Sequence, residues 1–140
     1  MDMSSFPSLS TAQYRWLAVL WTGGIVLALS LPTASFAGVE PALGADKVVH
    51  ALLFAGFGVL WMRAFSPPTA GWTHVRDRGG RLFLVGALFA GGSELYQQVL
   101  PLRRVADPYD ALADVVGLLF GILLYGVYVR WGTSKEASPS

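Results

Sequence analysis

The sequence predicts an all-α fold, an integral membrane four-helix bundle with both termini cytoplasmic, and three observations carry that prediction. Of the 140 residues, 54% are apolar and only 14% are charged, a balance that favours a membrane protein over a water-soluble domain. The apolar residues fall into four runs, each close to the roughly 20 residues needed to cross about 30 Å of hydrocarbon. The remaining charges are sorted, with bases gathered at one set of connections and acids at the other. Four spans with short connections leave little chain for a soluble domain, so residues 1–131 are expected to form one membrane domain. The chain contains no cysteine, which excludes a disulfide framework and a thiolate metal site. The net charge of +1 is uninformative by itself, and no internal repeat is visible.

Taken in order, the first apolar run covers about 16–31, preceded by a polar leader and followed by Pro32. The second covers about 48–65 and is closed by Pro67 and Pro68, because proline lacks the backbone donor that a helix interior requires. The segment from Ser66 to Arg81 mixes proline, glycine and three arginines with Trp72 and is expected to be an exposed loop on the headgroup region. The third helix is expected over about 82–100, stopped by Pro101, and the fourth over about 111–129. Residues 132–140 have too little apolar surface to offset the entropy of ordering and are expected to be disordered. A rival reading makes the start a cleaved signal peptide, since Ser35-Phe36-Ala37 precedes Gly38. The leader carries one acid, Asp2, and one base, Arg15, a poor positively charged region, so a retained helix is preferred.

Four spans put the leader, the connection between the second and third helices, and the C-terminal tail on one side. That side holds Arg15, Arg63, Arg76, Arg78, Arg81, Arg130 and Lys135, against Lys47, Arg103 and Arg104 on the other. Positive residues favour the cytoplasm, which makes both termini cytoplasmic. Tyr14, Trp16, Trp61, Tyr128 and Trp131 supply an aromatic belt at that interface, with Tyr96 and Tyr109 near the opposite one.

The acids divide the other way. Asp2, Asp77 and Glu136 fall on the inner side, and Glu40, Asp46, Glu94, Asp107, Asp110 and Asp114 on the outer. At 1.5 Å rise per residue, Glu94 lies about 9 Å inside the outer end of its helix and Asp114 about 5 Å inside its own. Ionisable groups at membrane depth are costly, tend to be paired, and usually face the bundle interior or a wet cavity. The spacing favours one shared site. Asp46 and His50 are four residues apart, Lys47 and His50 three, and Glu94 and Gln97 three, so each pair shares a helical face. Asp110, Asp114, Gly117 and Gly121 share a stripe of the fourth helix, placing two acids above a Gly-x-x-x-Gly packing contact.

Asp46-Lys47-Val48-Val49-His50 opening a helix, Glu94-Leu95-Tyr96-Gln97, and then Arg104, Asp110 and Gly117 in this order resemble the VanZ-like membrane proteins. The resemblance covers about residues 46–121 and depends on several polar residues rarely found in an apolar context. Where the family usually has Asn four residues after the Asp, this chain has Asp114, and Leu102-Arg103 replaces the common Pro-Gly before the arginine. Arg103 and Arg104 both compete for the family arginine, and Arg104, six residues before Asp110, is preferred. The resemblance implies an integral protein of the bacterial cytoplasmic membrane with a cell-envelope role, the founding member being an accessory factor for teicoplanin resistance.

The candidate ligand-binding residues are therefore Asp46, Lys47, His50, Glu94, Gln97, Arg104, Asp110 and Asp114, with Gly117 and Gly121 for helix packing. Each has a plainer alternative. His50 is a hydrogen-bond partner for a neighbouring acid, Glu94 is half of a salt bridge to Lys47 or Arg104, and Asp110 is a helix cap. No metal and no cofactor are expected: His74 sits on the side opposite His50, and only a carboxylate site from Glu94, Asp110 and Asp114 competes with that view. Three functions remain open. The leading one is an accessory protein that holds a lipid headgroup, an envelope precursor or another amphiphilic ligand, with Lys47 and the arginines on its anionic groups. The second is an enzyme using Glu94 or His50 as acid or base on a lipid-linked substrate, although no recognised nucleophile motif is present. The third is a structural subunit docked by its polar cluster and glycines in a larger membrane complex, or a transporter formed by homo-oligomerisation. The inner arginines are read as orientation signals that meet membrane lipids, with no nucleic-acid partner expected.

Overall fold

A computed structural model describes residues 9–30, 45–99 and 107–136. The expectations placed on Glu40, Arg103, Arg104, the Ser35–Gly38 segment and residues 137–140 lie outside the described residues. Four helices follow in order: α1 (Thr11–Ser30), α2 (Ala45–Phe65), α3 (Trp72–Val99) and α4 (Pro108–Glu136). Among the described residues there is no strand.

The helix starts are set by local chemistry that apolar runs do not report. At α1, the Gln13 N–H donates to Ser10 Oγ at 3.2 Å while the Ser10 N–H donates to Gln13 Oε1 at 2.7 Å. This reciprocal cap starts the helix at Thr11, five residues before the apolar run. At α4, Asp107 accepts the Tyr109 N–H at 2.9 Å, and Pro108 occupies the first helical position, where its missing N–H costs nothing. The largest departure from expectation is at α3. Residues 72–81, expected as a surface loop, are helical, so this helix starts ten residues before the expected boundary. No proline follows Pro68 in this stretch, and Arg76, Arg78 and Arg81 are good helix formers on an exposed extension. α4 likewise remains helical through Glu136, beyond the expected 129.

The bundle runs up and down. Near one end, the Arg63 guanidinium lies 4.4 Å over the Tyr14 ring, and the Tyr125 hydroxyl donates to the Ser66 carbonyl. Those contacts bring together the start of α1, the end of α2 and the second half of α4. At the other end, Ser30 Oγ meets Tyr96 Oη at 3.1 Å, and Lys47 reaches the start of α4.

Side chains are sorted in the manner of a protein whose surroundings are apolar. Leu20, Leu27, Leu52, Leu84, Leu88, Phe120 and Leu123 are exposed, representing all four helices, while His50, Glu94, Gln97, Asp110 and Asp114 are buried. α2 and the Pro108–Gly132 stretch of α4 are long and apolar enough to cross a membrane. Because lipid tails are as apolar as leucine, association of such helices depends on close packing more than on burial of oil from water. α2 and α4 form the most extensively packed pair. A Cβ on Gly117 would collide with the Ala51 carbonyl, and one on Gly121 with the Ala55 carbonyl. The two helices therefore meet backbone to backbone, with Ala51 and Ala55 opposite Gly117 and Gly121. Phe89 of α3 stacks on Phe54 and Phe57 of α2 with ring centroids 5.6 Å apart, closing the core beside that seam. α1 packs on α2 through indole hydrogen bonds, Trp21 Nε1 to the Leu53 carbonyl at 2.9 Å and Trp61 Nε1 to Thr22 Oγ1 at 3.1 Å.

Candidate functional site

The polar end of the bundle arises because three helices direct their inward stripes at one place. The stripe of α4 runs Asp110, Asp114, Gly117, Gly121, Tyr125 and Val129, all buried. His50 lies on the inward stripe of α2 with Phe54, Phe57 and Met62. The inward stripe of α3 is built from Val75, Gly79, Leu82, Gly86, Ala90, Ser93 and Gln97, with Glu94 beside it. Small residues on α3 let it approach, and its buried polar groups lie near the end where α2 begins.

Two tiers result. In the outer tier, the Lys47 ammonium donates to Asp107 Oδ2 at 2.7 Å and to Asp110 Oδ1 at 3.0 Å. Lys47 and Asp107 remain more than a third exposed, whereas the Asp110 side chain is 12% exposed. Two hydrogen bonds, from the Lys47 ammonium first and the Tyr109 N–H second, hold the Asp107 carboxyl below the usual carboxylate range. Asp46 is exposed at the rim, with His50 and Asp110 close enough for all three to offer an atom within 4.8 Å of the others.

In the inner tier, one turn deeper, His50 Nδ1 lies 3.0 Å from Asp114 Oδ1, the imidazole N–H donating to the carboxylate. Asp114 is fully buried and His50 nearly so. Glu94 completes this tier: His50, Glu94 and Asp114 each offer an atom within 4.8 Å of the other two. Neither Glu94 oxygen has a hydrogen-bond partner among the described residues, nor does Asp114 Oδ2 or Gln97 Nε2. The Asp107 N–H approaches Glu94 without meeting hydrogen-bond geometry. Buried acceptors without donors are rare because desolvation is then uncompensated. Lys47 is engaged with Asp107 and Asp110, which leaves His50 as the basic side chain of the inner tier among the described residues.

Set against the sequence, Lys47, His50, Asp110 and Asp114 converge, and Glu94 joins the inner tier. Gln97 is buried three residues further along α3, Asp46 sits at the rim, and Arg104 lies outside the described residues. Two expectations change. The cap of α4 is Asp107, and Asp110 bonds Lys47 instead of acting as the cap. Lys47 is directed at acids of its own chain, where the leading reading had it on a ligand's anionic groups. Asp107 was absent from the candidate site although Asp-Pro at a helix start signals a cap. Ala51 and Ala55, opposite the two glycines, were also missed. Their four-residue spacing is the matching small-residue signal on α2.

The described part of the site carries five carboxyl groups, Asp46, Glu94, Asp107, Asp110 and Asp114, against Lys47 and His50. Its electrostatics suit a cationic or hydrogen-bond-donating guest better than an anionic one. Compared with known proteins, the chain matches the VanZ/LLP1 family over residues 4–129. No curated protein and no solved structure gives a significant match. The match takes in all of α1, α2 and α3 and most of α4, with both tiers of the polar cluster, and this chain therefore belongs to the VanZ/LLP1 family.

Proposed function

We propose that this VanZ-family chain is a multi-pass protein of the bacterial cytoplasmic membrane that serves the cell envelope as an accessory binding protein, with the polar end of the bundle as its site. Four spans, both termini cytoplasmic and the acids at the outer face follow from the positive-inside distribution, in which Arg15, Arg63, Arg76, Arg78, Arg81 and Arg130 belong to the end opposite Glu94. The observation that supports binding over pure structure is Glu94. Neither oxygen of its buried carboxyl group has a donor among the described residues, although the neighbouring acids Asp110 and Asp114 each have one, Lys47 and His50. A group that only locked the helices would be satisfied by them. The guest in this reading presents amine or hydroxyl donors, as the headgroup of an envelope precursor or an amphiphilic glycopeptide such as teicoplanin does. Tolerance to such a glycopeptide is the physiological output.

The test is complementation of a deletion strain, scored by susceptibility to teicoplanin and to envelope stress, with Glu94→Gln beside wild type and membrane abundance measured in parallel. Normal abundance with lost complementation supports the reading; full complementation contradicts it. A second reading, a purely structural lock, is favoured by the cross-helix pairs Lys47–Asp110 and His50–Asp114. It requires abundance and complementation to fall together.

A further inference from the structure

We propose that the inner tier is a metal site in which His50 Nδ1 and carboxylate oxygens of Glu94 and Asp114 bind one divalent first-row transition-metal ion, with zinc the best fit. This inference deepens the functional reading above and rests on the polar cluster being a ligand site. It also revises the expectation from the sequence that no metal is held, which weighed a two-histidine site and a carboxylate-only site.

Charge balance comes first. Two carboxylates and a neutral imidazole make a donor set of charge −2, buried where an uncompensated ion is costly. Lys47 does not answer that charge, because Asp107 and Asp110 already hold its ammonium at 2.7 and 3.0 Å. The unmet acceptors point the same way. Both Glu94 oxygens and Asp114 Oδ2 lack partners among the described residues, and Glu94 and Asp114 are 7% and 0% exposed.

Geometry agrees. Ligand atoms around a tetrahedral ion with bonds of about 2.0–2.2 Å lie about 3.3–3.6 Å apart, so a hydrogen-bonded pair opens by only a few tenths of an ångström to share the ion. His50 Nδ1 and Asp114 Oδ1 are at 3.0 Å, and one ligand atom from each of His50, Glu94 and Asp114 lies within 4.8 Å of the other two. A rotation of the unpaired Glu94 side chain supplies the remaining approach. On binding, Nδ1 gives up its proton, and the hydrogen-bonded pair becomes two ligands.

The donor types select the ion. One imidazole nitrogen with two carboxylates suits zinc, and secondarily manganese or iron, whereas calcium takes six to eight oxygens and magnesium keeps several waters. The second grouping, Asp46, His50 and Asp110, is the weaker candidate, since Asp46 is exposed and Asp110 is held by Lys47. Three protein ligands leave a fourth position on zinc open, and Gln97, three residues after Glu94 on α3, is buried with an unpartnered amide donor.

The experiment uses the full chain purified in detergent, stripped with chelator and titrated separately with Zn²⁺ and Mn²⁺. Calorimetry and elemental analysis give affinity and stoichiometry, and Co²⁺ serves as a spectroscopic probe. One ion per chain is expected, with Zn²⁺ displacing Mn²⁺. Affinity falls at least tenfold in Glu94→Gln and in His50→Gln but is retained in Asp46→Asn, with helical content checked by circular dichroism. Wild type loaded with Co²⁺ shows paramagnetically shifted imidazole resonances, a readout that survives if a variant misfolds. Absence of a bound ion, unchanged affinity in a folded Glu94→Gln, loss in Asp46→Asn, or Co²⁺ bound without a shifted imidazole overturns the proposal. Failure here is distinct from failure of the functional reading: loss of complementation in Glu94→Gln with no ion bound to wild type removes the metal alone. An ion bound as described, with full complementation by Glu94→Gln, removes the accessory role alone.

Discussion

The interface between α2 and α4 is built in two different ways along its length. Over its middle turns, Gly117 and Gly121 lie against the carbonyls of Ala51 and Ala55, and nothing larger than hydrogen fits between the backbones. At its polar end the same two helices are joined by Lys47 to Asp110 and His50 to Asp114, with Glu94 entering from α3. The first region is complete as it stands: apolar, close and without unmet polar groups. The second retains buried acceptors that the described residues leave open. A segment that only needs to hold two helices together is optimised for contact, whereas one that receives a guest carries unmet groups at a cost in stability.

This contrast is broken or sharpened by substitution along the seam. The largest effect is expected at the glycine contact. Gly117→Val pushes a side chain into the Ala51 backbone, which cannot yield, so the loss should reach about 3 kcal/mol or more. Gly80→Ala, where an added Cβ meets nothing within 4 Å, should instead be neutral or stabilise by about 0.5–1 kcal/mol. Reversible unfolding in detergent, together with membrane abundance, checks both. Next comes the inner ion pair. Asp114→Ala strands the buried His50 imidazole and should cost about 2–3 kcal/mol. The double variant His50→Leu with Asp114→Leu should recover part of that loss, because neither position then holds a polar group stripped of its partner.

Smaller effects belong to the outer tier, where solvent screens the charges. Lys47→Met should shift the thermal midpoint less than Asp114→Ala, and the difference from wild type should shrink as salt is added. Acidification has a defined sign. The Asp107 carboxyl is held below its ordinary value by Lys47 and by the Tyr109 N–H. Its contribution to stability is thus fully present above the ordinary carboxylate range and lost as pH falls through the lowered folded value. A melting series across that range in wild type and Asp107→Asn should converge at the acidic end. Divergence there would contradict the assigned pairing.

Much of this arrangement was legible in the sequence, and the exceptions share a physical cause. The four helices follow from apolar runs and proline stops. The convergence of Asp110, Asp114, Gly117 and Gly121 on one stripe follows from helical periodicity, since each is buried along the inward face of α4. Helix starts were less legible, because hydropathy reports what lipid tolerates and not where a backbone donor finds its first acceptor. Ser10 with Gln13 and Asp107 with Pro108 mark those starts, and both are polar. Residues 72–81 read as a loop on the same ground, their charges hiding a helix that continues beyond its apolar part. Partner choice was the least legible. Spacing places His50 on a face with Asp46, yet only the rotation of α2 against α4 decides that its hydrogen bond goes to Asp114, 64 positions later. The same rotation brings Ala51 and Ala55 under the glycines.

The central claim is that the polar end receives a guest while the glycine seam holds the bundle together, and Glu94→Gln tests it most directly. The variant keeps the size of the side chain and replaces a buried acid that no described donor meets with an amide. Membrane abundance and thermal midpoint, measured with complementation in the deletion strain, should remain at or above wild type while complementation is lost. If abundance, midpoint and complementation fall together, Glu94 is part of the lock, and the polar end differs from the glycine seam only in the chemistry it uses to do the same work.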